Sequence, residues 1–284
     1  MGPSRSVTEL LAPLRADPGG TGVFSDFDGT LSPIVDDPAA AGPLPGVVDV
    51  LDGLAREYAR VAIISGRPAS FLRHHLGGHG LLLSGLYGLE FVDGDGEIQT
   101  AREAAEWRPV VENVVAAAEA EDLPRGMSVE QKGLSVTVHY RVDPALEEPA
   151  KAWVERQAEA TGLVVHPARM SYELRPPIER DKGTVLAEQA EGYRQACFLG
   201  DDRGDLTAFD ALDHLAGQGI TVVKVAVESA EAPQELLDRG DLVVDGPEGA
   251  LSVLRALLGP SGPKSGTAGP SGPPSGSEGA QEGR

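Results

Sequence analysis

The feature that most constrains the fold of this chain is an apolar run over residues 22–25 that ends in Asp26, Phe27 and Asp28. Side chains on a strand alternate between its two faces, so Asp26 and Asp28 can point the same way, and Gly29 lets the chain turn directly after them. Open α/β sheets bind ligands at the carboxyl ends of their strands. The run therefore predicts a strand that delivers a nucleophile or metal ligand, although a solvated turn is the alternative for this motif taken alone.

Strands and helical segments alternate along the first and last parts of the chain. Such alternation implies a parallel sheet with helices on both faces, so we expect an α/β fold. The strands are predicted at residues 21–25, 61–64, 81–84, 196–199, 221–227 and 242–244. The main helices are predicted at residues 47–58, 69–75 and 181–190, from residue 205, and in a last segment that ends at residue 258.

The middle of the chain has a different pattern of predicted helices and strands. Residues 103–177 read as helices and pairs of strands, which predicts an inserted α+β cap domain that acts as a lid on the active edge of the sheet. Residues 1–102 and 178–259 then form the catalytic core. Residues 260–284 are rich in Gly, Pro and Ser and cannot bury enough apolar surface to offset their ordering entropy, so we expect a disordered C-terminal tail.

The formal net charge of the 284 residues is −20 at pH 7, which repels nucleic acid and anionic lipid over the whole surface. We therefore expect no nucleic-acid partner and no membrane association, and nothing in the sequence indicates an obligate protein partner. Cys197 is the single cysteine, which excludes an internal disulfide and fits a reducing compartment. Because neither a signal-peptide pattern nor a membrane-spanning apolar stretch is evident, the expected location is the cytoplasm.

Two further motifs suit a phosphate group. Ser65 follows a buried strand and precedes a helix, where a hydroxyl near a helix N-terminus can bind phosphate or can simply cap the helix. Lys182 begins the helix with which the chain returns to the sheet domain after the inserted segment. A lysine at the N-terminal end of a helix opposes the helix dipole. It makes better sense as the counter-charge of a bound phosphate, the alternative being an ordinary surface lysine.

A carboxylate cluster follows the strand at residues 196–199. Asp201 and Asp205 lie four residues apart in this cluster. Hard oxygen ligands at a strand end favour Mg²⁺, which binds one or two carboxylates and completes its shell with water and substrate phosphate. The sequence therefore predicts Mg²⁺ as the cofactor.

Together, these four elements resemble the haloacid-dehalogenase (HAD) superfamily of phosphotransferases, across residues 21–92 and 181–250. The resemblance implies a Rossmann-like parallel core and hydrolysis of a phosphate ester in two displacements. The roles that it implies are nucleophile for Asp26, general acid and base for Asp28, ligands of the phosphoryl oxygens for Ser65 and Lys182, and Mg²⁺ ligands for Asp26, the Asp28 backbone carbonyl, Asp201 and, directly or through water, Asp205.

Polar residues of the inserted segment narrow the substrate. Glu130, Lys132 and Glu173 lie within otherwise apolar strands. They either belong to the solvent-exposed face of a sheet or bind a polar ligand. With the turn at residues 65–67 and the segment at residues 87–90 (Tyr-Gly-Leu-Glu) ahead of them, they resemble the trehalose-6-phosphate phosphatase family. The resemblance implies that Glu130, Lys132 and Glu173 bind the distal glucose, and Arg67 is grouped with these substrate-binding residues. Four more residues are assigned to supporting or docking the lid: Ser135, His139, Arg141 and Arg175.

The expected function is the Mg²⁺-dependent hydrolysis of trehalose 6-phosphate to trehalose and phosphate, the last step of trehalose biosynthesis, with a small sugar phosphate as the only partner. One alternative is a phosphatase for another sugar phosphate, such as sucrose or glucosylglycerol phosphate. The other is a non-catalytic sugar-phosphate sensor on the same fold. The presence of both Asp26 and Asp28 argues against a sensor, which could bind its ligand with either one replaced.

Overall fold

The computed structural model describes residues 6–35, 40–78, 80–94, 96–168 and 170–259, so the tail predicted at residues 260–284 lies outside the described residues. The strands within these ranges are β1 (Thr21–Ser25), β2 (Arg60–Ile64), β3 (Leu82–Gly85), β4 (Glu90–Asp93), β5 (Gln99–Thr100), β6 (Ser128–Lys132), β7 (Ser135–His139), β8 (Val164–Ala168), β9 (Ser171–Arg175), β10 (Gln195–Gly200), β11 (Thr221–Glu228) and β12 (Leu242–Asp245). The α-helices are α1 (Val7–Ala16), α2 (Val47–Glu57), α3 (Ala69–Leu76), α4 (Arg102–Ala105), α5 (Arg108–Ala120), α6 (Glu147–Thr161), α7 (Lys182–Gln189), α8 (Leu206–Gly217), α9 (Gln234–Arg239) and α10 (Gly246–Leu258).

The larger sheet has eight strands in the order β12-β11-β10-β1-β2-β3-β4-β5. The strands from β12 to β3 are parallel, which confirms the predicted α/β fold with a parallel core. Strands β4 and β5 extend the sheet as antiparallel strands. They are not among the predicted strands, although residues 93–97 between them read in the sequence as a tight β-hairpin turn. A tight turn at Leu86–Gly88 reverses the chain after β3, so β4 returns beside the strand that it follows.

Helices cover both faces of this sheet, as its hydrophobic pattern requires. All five residues of β1 are buried, and consecutive side chains enter opposite cores. Val23 packs into the core that α1, α2, α3 and α10 form on one face. Phe24 packs into the core that α7, α8 and α9 form on the other. Because both faces are buried, β1 reads as a continuous apolar run in the sequence.

The strand register brings the ends of three strands to one edge of the sheet. In the parallel ladders, Ser25 of β1 lies opposite Ile63 of β2 and Leu199 of β10. Parallel strands end at the same edge, so the residues directly after them are neighbours in space. This edge therefore gathers Asp26, Ser65 and Asp201, although Asp201 is more than a hundred residues from the other two in the sequence.

A second sheet is antiparallel, with the strand order β6-β7-β9-β8. Helices α5 and α6 pack against it around a separate core that includes Val111, Val136 and Trp153. We call these four strands and two helices the cap. Its place in the chain agrees with the α+β segment expected from the sequence, whereas the boundaries given for the core and cap domains stay predictions.

The first helix, α1, was not predicted from the sequence. Its signal is a capping box, in which the Ser6 hydroxyl accepts from the Glu9 backbone N–H and the Glu9 carboxylate accepts from the Ser6 N–H. Leu11 and Leu14 anchor the helix in the core. Over the part of the chain that the structure describes, no helix has both the length and the apolar character to cross a bilayer.

Candidate active site

Asp26 lies at the centre of the sheet edge, directly after β1. Its backbone N–H donates to the Leu199 carbonyl at 2.9 Å, which continues the ladder between β1 and β10 and fixes the direction of the side chain. The carboxylate is almost fully buried, and its Oδ1 lies 3.0 Å from the Lys182 Nζ. Burial raises the pKa of Asp26 well above its usual value, the Lys182 charge acts against that rise, and Asp205 adds to it.

Lys182 is the first residue of α7, and Asp181 caps that helix by accepting from the Thr184 backbone N–H at 2.7 Å. The Lys182 side chain is only 3% exposed, and its Nζ lies 2.6 Å from an Asp205 carboxylate oxygen and 3.0 Å from Asp26. Burial acts to lower the pKa of Lys182, but the charges of Asp205 and Asp26 raise it overall. The ammonium is therefore a permanent positive charge inside the site.

The two aspartates after β10 are held by hydrogen bonds. One Asp205 oxygen accepts from the backbone N–H groups of Asp201 and Asp202 at 2.8 and 2.9 Å. The Asp201 carboxylate accepts from the hydroxyls of Thr30 and Ser229 at 3.0 and 2.9 Å. Both side chains are therefore fixed before any ligand binds.

Among the residues described, the group that could hold a metal ion consists of Asp26, Asp201 and Asp205, whose oxygens lie within 4.8 Å of one another. Burial, and then the neighbouring charge of Asp205, raises the pKa of Asp201 to about 7. Burial likewise raises the pKa of Asp205 to about 6, with Lys182 acting against the rise. Three buried carboxylates beside one ammonium leave excess negative charge, and hard oxygen donors suit Mg²⁺. The residues present fit the predicted cofactor.

Asp28 lines the cavity in front of the sheet edge and forms an ion pair with Arg67. The Arg67 Nε and Nη2 donate to its two oxygens at 2.8 and 2.7 Å, a bidentate pair that fixes the plane of the carboxylate. Gly29 follows with a φ of 76°, and a Cβ there would collide with Asp201. Arg67, predicted as a substrate-binding residue, lines the cavity and also positions Asp28.

Ser65 is buried at the end of β2 and lines the same cavity. Its backbone N–H donates to the Ser84 carbonyl at 2.9 Å, and its hydroxyl accepts from the Arg67 backbone N–H at 3.2 Å. The hydroxyl therefore shapes the short loop before α3 rather than capping the helix, which begins at Ala69. Ser65, Asp26 and Lys182 therefore line one cavity.

Three cap residues predicted to bind sugar line the opposite wall. Glu130 accepts from His139 at 2.8 Å and lies 3.5 Å from the Lys132 Nζ. Glu173 accepts from the Ser135 hydroxyl at 2.6 Å and pairs with Arg175. Burial alone would raise the pKa of Glu173, but these hydrogen bonds, led by that from Arg175, lower it overall.

The cavity between the core and the cap has a volume of about 470 Å³, within the range of small-molecule sites. The predicted residues that line it are Asp26, Asp28, Ser65, Arg67 and Lys182 from the core, with Glu130, Lys132 and Glu173 from the cap. Asp201 and Asp205 lie beneath it, beside Asp26. The structure thus brings every predicted site residue to one place.

Some cavity residues were absent from the predicted site. Tyr87 and Phe71 contribute aromatic rings, Asp202 contributes a carboxylate 3.6 Å from Lys182, and Gln131 belongs to β6. Asp202 could have been found, because it adjoins Asp201 in the same acidic loop. Tyr87 belongs to the segment at residues 87–90 that carries part of the family resemblance, but no role was assigned to it from the sequence, and the packing of the turn after β3 places it in the cavity.

Comparison with protein families gives a match to the family described as trehalose-phosphatase, over residues 24–238. That span runs from β1 to α9 and includes every residue of the site described above. The chain belongs to the trehalose-phosphatase family. Its fold is that of the HAD superfamily of phosphatases, as expected from the sequence.

The curated relatives include proteins named trehalose-phosphate phosphatase. The trehalose-phosphate phosphatase of Mycobacterium leprae is 37% identical over 218 residues, which cover 71% of this chain and 50% of that protein. An uncharacterized glycosyl hydrolase of Mycobacterium tuberculosis is 39% identical over 212 residues, or 70% of this chain and 16% of that protein. The chain thus spans half or less of the length of these relatives.

Among solved structures, the C-terminal domain of the Candida albicans trehalose-6-phosphate phosphatase superposes with a TM-score of 0.67. The superposition covers 90% of this chain and 98% of that domain, at 24% sequence identity. At that identity the likeness is one of fold.

Proposed function

We propose that this chain hydrolyses trehalose 6-phosphate to trehalose and phosphate with the help of Mg²⁺. The observation that carries the proposal is the single cavity in which Asp26, Lys182 and Ser65 face Glu130 and Glu173. One end of that cavity has the groups that phosphoryl transfer requires, and the other has carboxylates suited to sugar hydroxyls. Membership of the trehalose-phosphatase family supports the same substrate.

In the first displacement, an Asp26 oxygen attacks phosphorus and the bond from phosphorus to the sugar oxygen breaks. The product is an aspartyl-phosphate on Asp26, and the leaving sugar oxygen takes a proton from Asp28. Arg67 orients Asp28 for this transfer through its two hydrogen bonds. The nucleophile and the proton donor are two residues apart on the same strand end, so both reach one phosphate.

In the second displacement, Asp28 removes a proton from a water molecule that attacks the phosphorus of the aspartyl-phosphate. The bond between phosphorus and the Asp26 oxygen breaks, which releases inorganic phosphate and restores both carboxyl groups. Asp28 gives its proton in the first half and recovers one in the second. The same pair of aspartates can therefore serve both halves of the reaction.

The other core residues hold the phosphoryl group. Lys182 offers a fixed positive charge and Ser65 a hydroxyl, and both line the cavity at the Asp26 end. Asp26, Asp201 and Asp205 would hold Mg²⁺, which when bound supplies positive charge against the phosphate oxygens and carboxylates. Without such charges a dianionic phosphate would be repelled by the acidic edge of the sheet.

The cap end of the cavity is suited to the sugar. Glu130 and Glu173 are acceptors for hydroxyl groups, and Lys132 is a donor. Their present partners are His139, Ser135 and Arg175, all on the cap. Phosphate and sugar thus have ligands on different parts of the molecule, so a substrate that spans both is preferred over a small phosphate ester.

The test is phosphate release from trehalose 6-phosphate, sucrose 6-phosphate and glucose 6-phosphate, with Mg²⁺ or with EDTA. We expect the highest kcat/KM for trehalose 6-phosphate and loss of activity in EDTA. Metal-dependent activity spread evenly over the panel would keep the phosphatase chemistry and overturn the substrate. If none of the three substrates is hydrolysed, the proposal is overturned and a sensor is favoured.

A further inference from the structure

The turn between β3 and β4 holds two consecutive non-glycine residues in the left-handed region of backbone conformation. The φ angles of Leu86 and Tyr87 are 49° and 56°. Residues with a Cβ rarely adopt such angles, which persist only where the surroundings hold them and which gather at binding and catalytic sites. Tyr87 also lines the cavity between the core and the cap. The turn therefore has the features of a functional element.

On one side, Tyr87 is packed against the loop that carries Ser65. The Tyr87 backbone N–H donates to the Ser65 carbonyl at 3.1 Å, and the Leu86 N–H donates to the Arg67 carbonyl at 2.9 Å. The Tyr87 hydroxyl lies directly over Gly66, where an added Cβ would stand only 2.6 Å from the tyrosine oxygen. The strained turn is thus held in place by the loop expected to bind the phosphoryl group.

On its other side, Tyr87 contacts the cap. The guanidinium carbon of Arg175, at the end of β9, lies 4.6 Å from the centre of the Tyr87 ring. Burial acts to lower the pKa of Arg175, but hydrogen bonds to Glu173 and Tyr87 raise it overall. The same guanidinium pairs with Glu173. A chain of direct contacts therefore runs from the Ser65 loop through Tyr87 and Arg175 to a carboxylate at the sugar end.

The neighbouring residue supports the same contact between core and cap. Leu86 and Leu89 pack in a small buried cluster with Leu134, which lies in the turn between β6 and β7 of the cap. At Gly133 in that turn, an added Cβ would stand 3.1 Å from the Leu86 side chain. The cap therefore rests on the turn after β3 at two separate points.

We propose that Tyr87 is a positioning residue that sets the span between the phosphoryl site of the core and the sugar site of the cap. Its ring supports Arg175, which orients Glu173, while its backbone and hydroxyl fit the Ser65 loop. This inference rests on the proposed function, since it assigns the sugar to the cap end of the same cavity. Tyr87 thereby selects substrates long enough to reach both ends.

The test compares trehalose 6-phosphate with p-nitrophenyl phosphate, which is too short to reach the cap. For Tyr87→Ala we expect kcat/KM for trehalose 6-phosphate to fall about 30-fold, with a change below about 3-fold for the short ester. Tyr87→Phe keeps the ring under Arg175 and should retain most of the preference. Equal losses on both substrates, or no loss on either, would overturn the proposal.

Two comparisons separate positioning from a general structural effect. Met170 also has a positive φ, 55°, but lies in the cap turn between β8 and β9, so Met170→Ala should leave the ratio of the two substrates unchanged. A double-mutant cycle of Tyr87→Ala with Arg175→Ala should show that the second change adds little to the first, because both break one contact. Fully additive losses would contradict the chain of contacts.

The failure of this inference can be told from the failure of the proposed function. If the wild-type protein prefers another sugar phosphate of the panel, the function is wrong and the same variants are compared on that substrate. If it hydrolyses none, calorimetric titration with trehalose 6-phosphate replaces turnover. Binding to Tyr87→Ala as tight as to the wild type would then overturn the positioning role.

Discussion

The two ends of the cavity carry charged side chains in very different surroundings. At the sheet edge, the Lys182 and Asp205 side chains are 3% and 0% exposed. At the cap end, Glu130 and Lys132 are 50% and 28% exposed. Electrostatic interactions are far stronger at a buried site than beside water. The core end is therefore preorganised for charge, whereas Glu130 and Lys132 at the cap end remain accessible to solvent.

This difference suggests a division of labour. The phosphoryl end holds its residues in fixed positions through backbone hydrogen bonds and buried ion pairs, as electrostatic catalysis requires. The sugar end uses glutamates whose partners are neighbouring cap side chains, which hydroxyl groups can exchange at small cost. Changes at the core end should therefore affect the chemical step, and changes at the cap end should affect binding and selectivity.

The largest effect is expected at the nucleophile. Asp26→Asn keeps the size of the side chain and removes the attacking carboxylate, so kcat should fall by about 10⁴-fold or more. The substitution also removes one of several buried negative charges from the site, so it should not unfold the protein. Circular dichroism should therefore show an unchanged fold. Turnover within tenfold of the wild type would exclude Asp26 as the nucleophile.

The next test concerns the excess negative charge beneath the cavity. The pKa of Asp201, about 7 in the folded protein, lies above its usual value of 3.8, so the folded state binds more protons than the unfolded state between those pH values. In EDTA, the free energy of unfolding should therefore fall as pH rises from about 4 to 7. Mg²⁺ should reverse this loss by neutralising the carboxylates.

Asp201→Asn is the variant that checks this explanation. It should raise the metal-free melting temperature at pH 8 by about 5 °C and flatten its pH dependence. It should also abolish the stabilisation by Mg²⁺ and most of the activity. A melting temperature that responds to Mg²⁺ as strongly as in the wild type would remove Asp201 from the metal site.

At the cap end, Glu130→Gln should act on binding alone. Loss of a hydrogen bond to a charged acceptor predicts a KM for trehalose 6-phosphate raised about 10- to 100-fold, with little change for p-nitrophenyl phosphate. Glu148→Gln is the matched control, because Glu148 is an exposed cap residue on α6. Parallel losses on both substrates would show that Glu130 acts on the chemical step instead.

The smallest effect is expected on the free energy of unfolding when a charge at the cap end is removed. Substitution of one lysine at each end of the cavity measures the difference. In EDTA, Lys132→Met should change the free energy of unfolding by less than about 1 kcal/mol, as for other partly exposed ion pairs. Lys182→Met leaves two buried carboxylates without their cation and should cost about 3 kcal/mol. Urea denaturation compares the two, and equal changes would contradict the contrast between the ends.

Much of the fold was predictable, because the core strands are buried on both faces and read as apolar runs. The prediction for β1, residues 21–25, coincides with the strand itself, and the helix expected at 47–58 ends one residue earlier. The antiparallel strands β4 and β5 were not listed, because they are short and neither is buried along its whole length, although the turn between them reads as a hairpin turn. The helix α1 was missed although Ser6 and Glu9 form a capping box.

The site residues, like the strands and helices, were predicted from the sequence only in part. Asp26, Ser65, Lys182 and Asp201 could be identified as candidates from the sequence, because the alternation of strands and helices brings strand ends and helix starts to one edge whatever the details of packing. Tyr87 belongs to a segment that carries part of the family resemblance, but its place beside these residues follows from the folded structure. The place of that residue depends on a strained turn, on the close approach to Gly66 and on the docking of the cap. Such contacts arise from packing between distant segments, and no local pattern of residues encodes them.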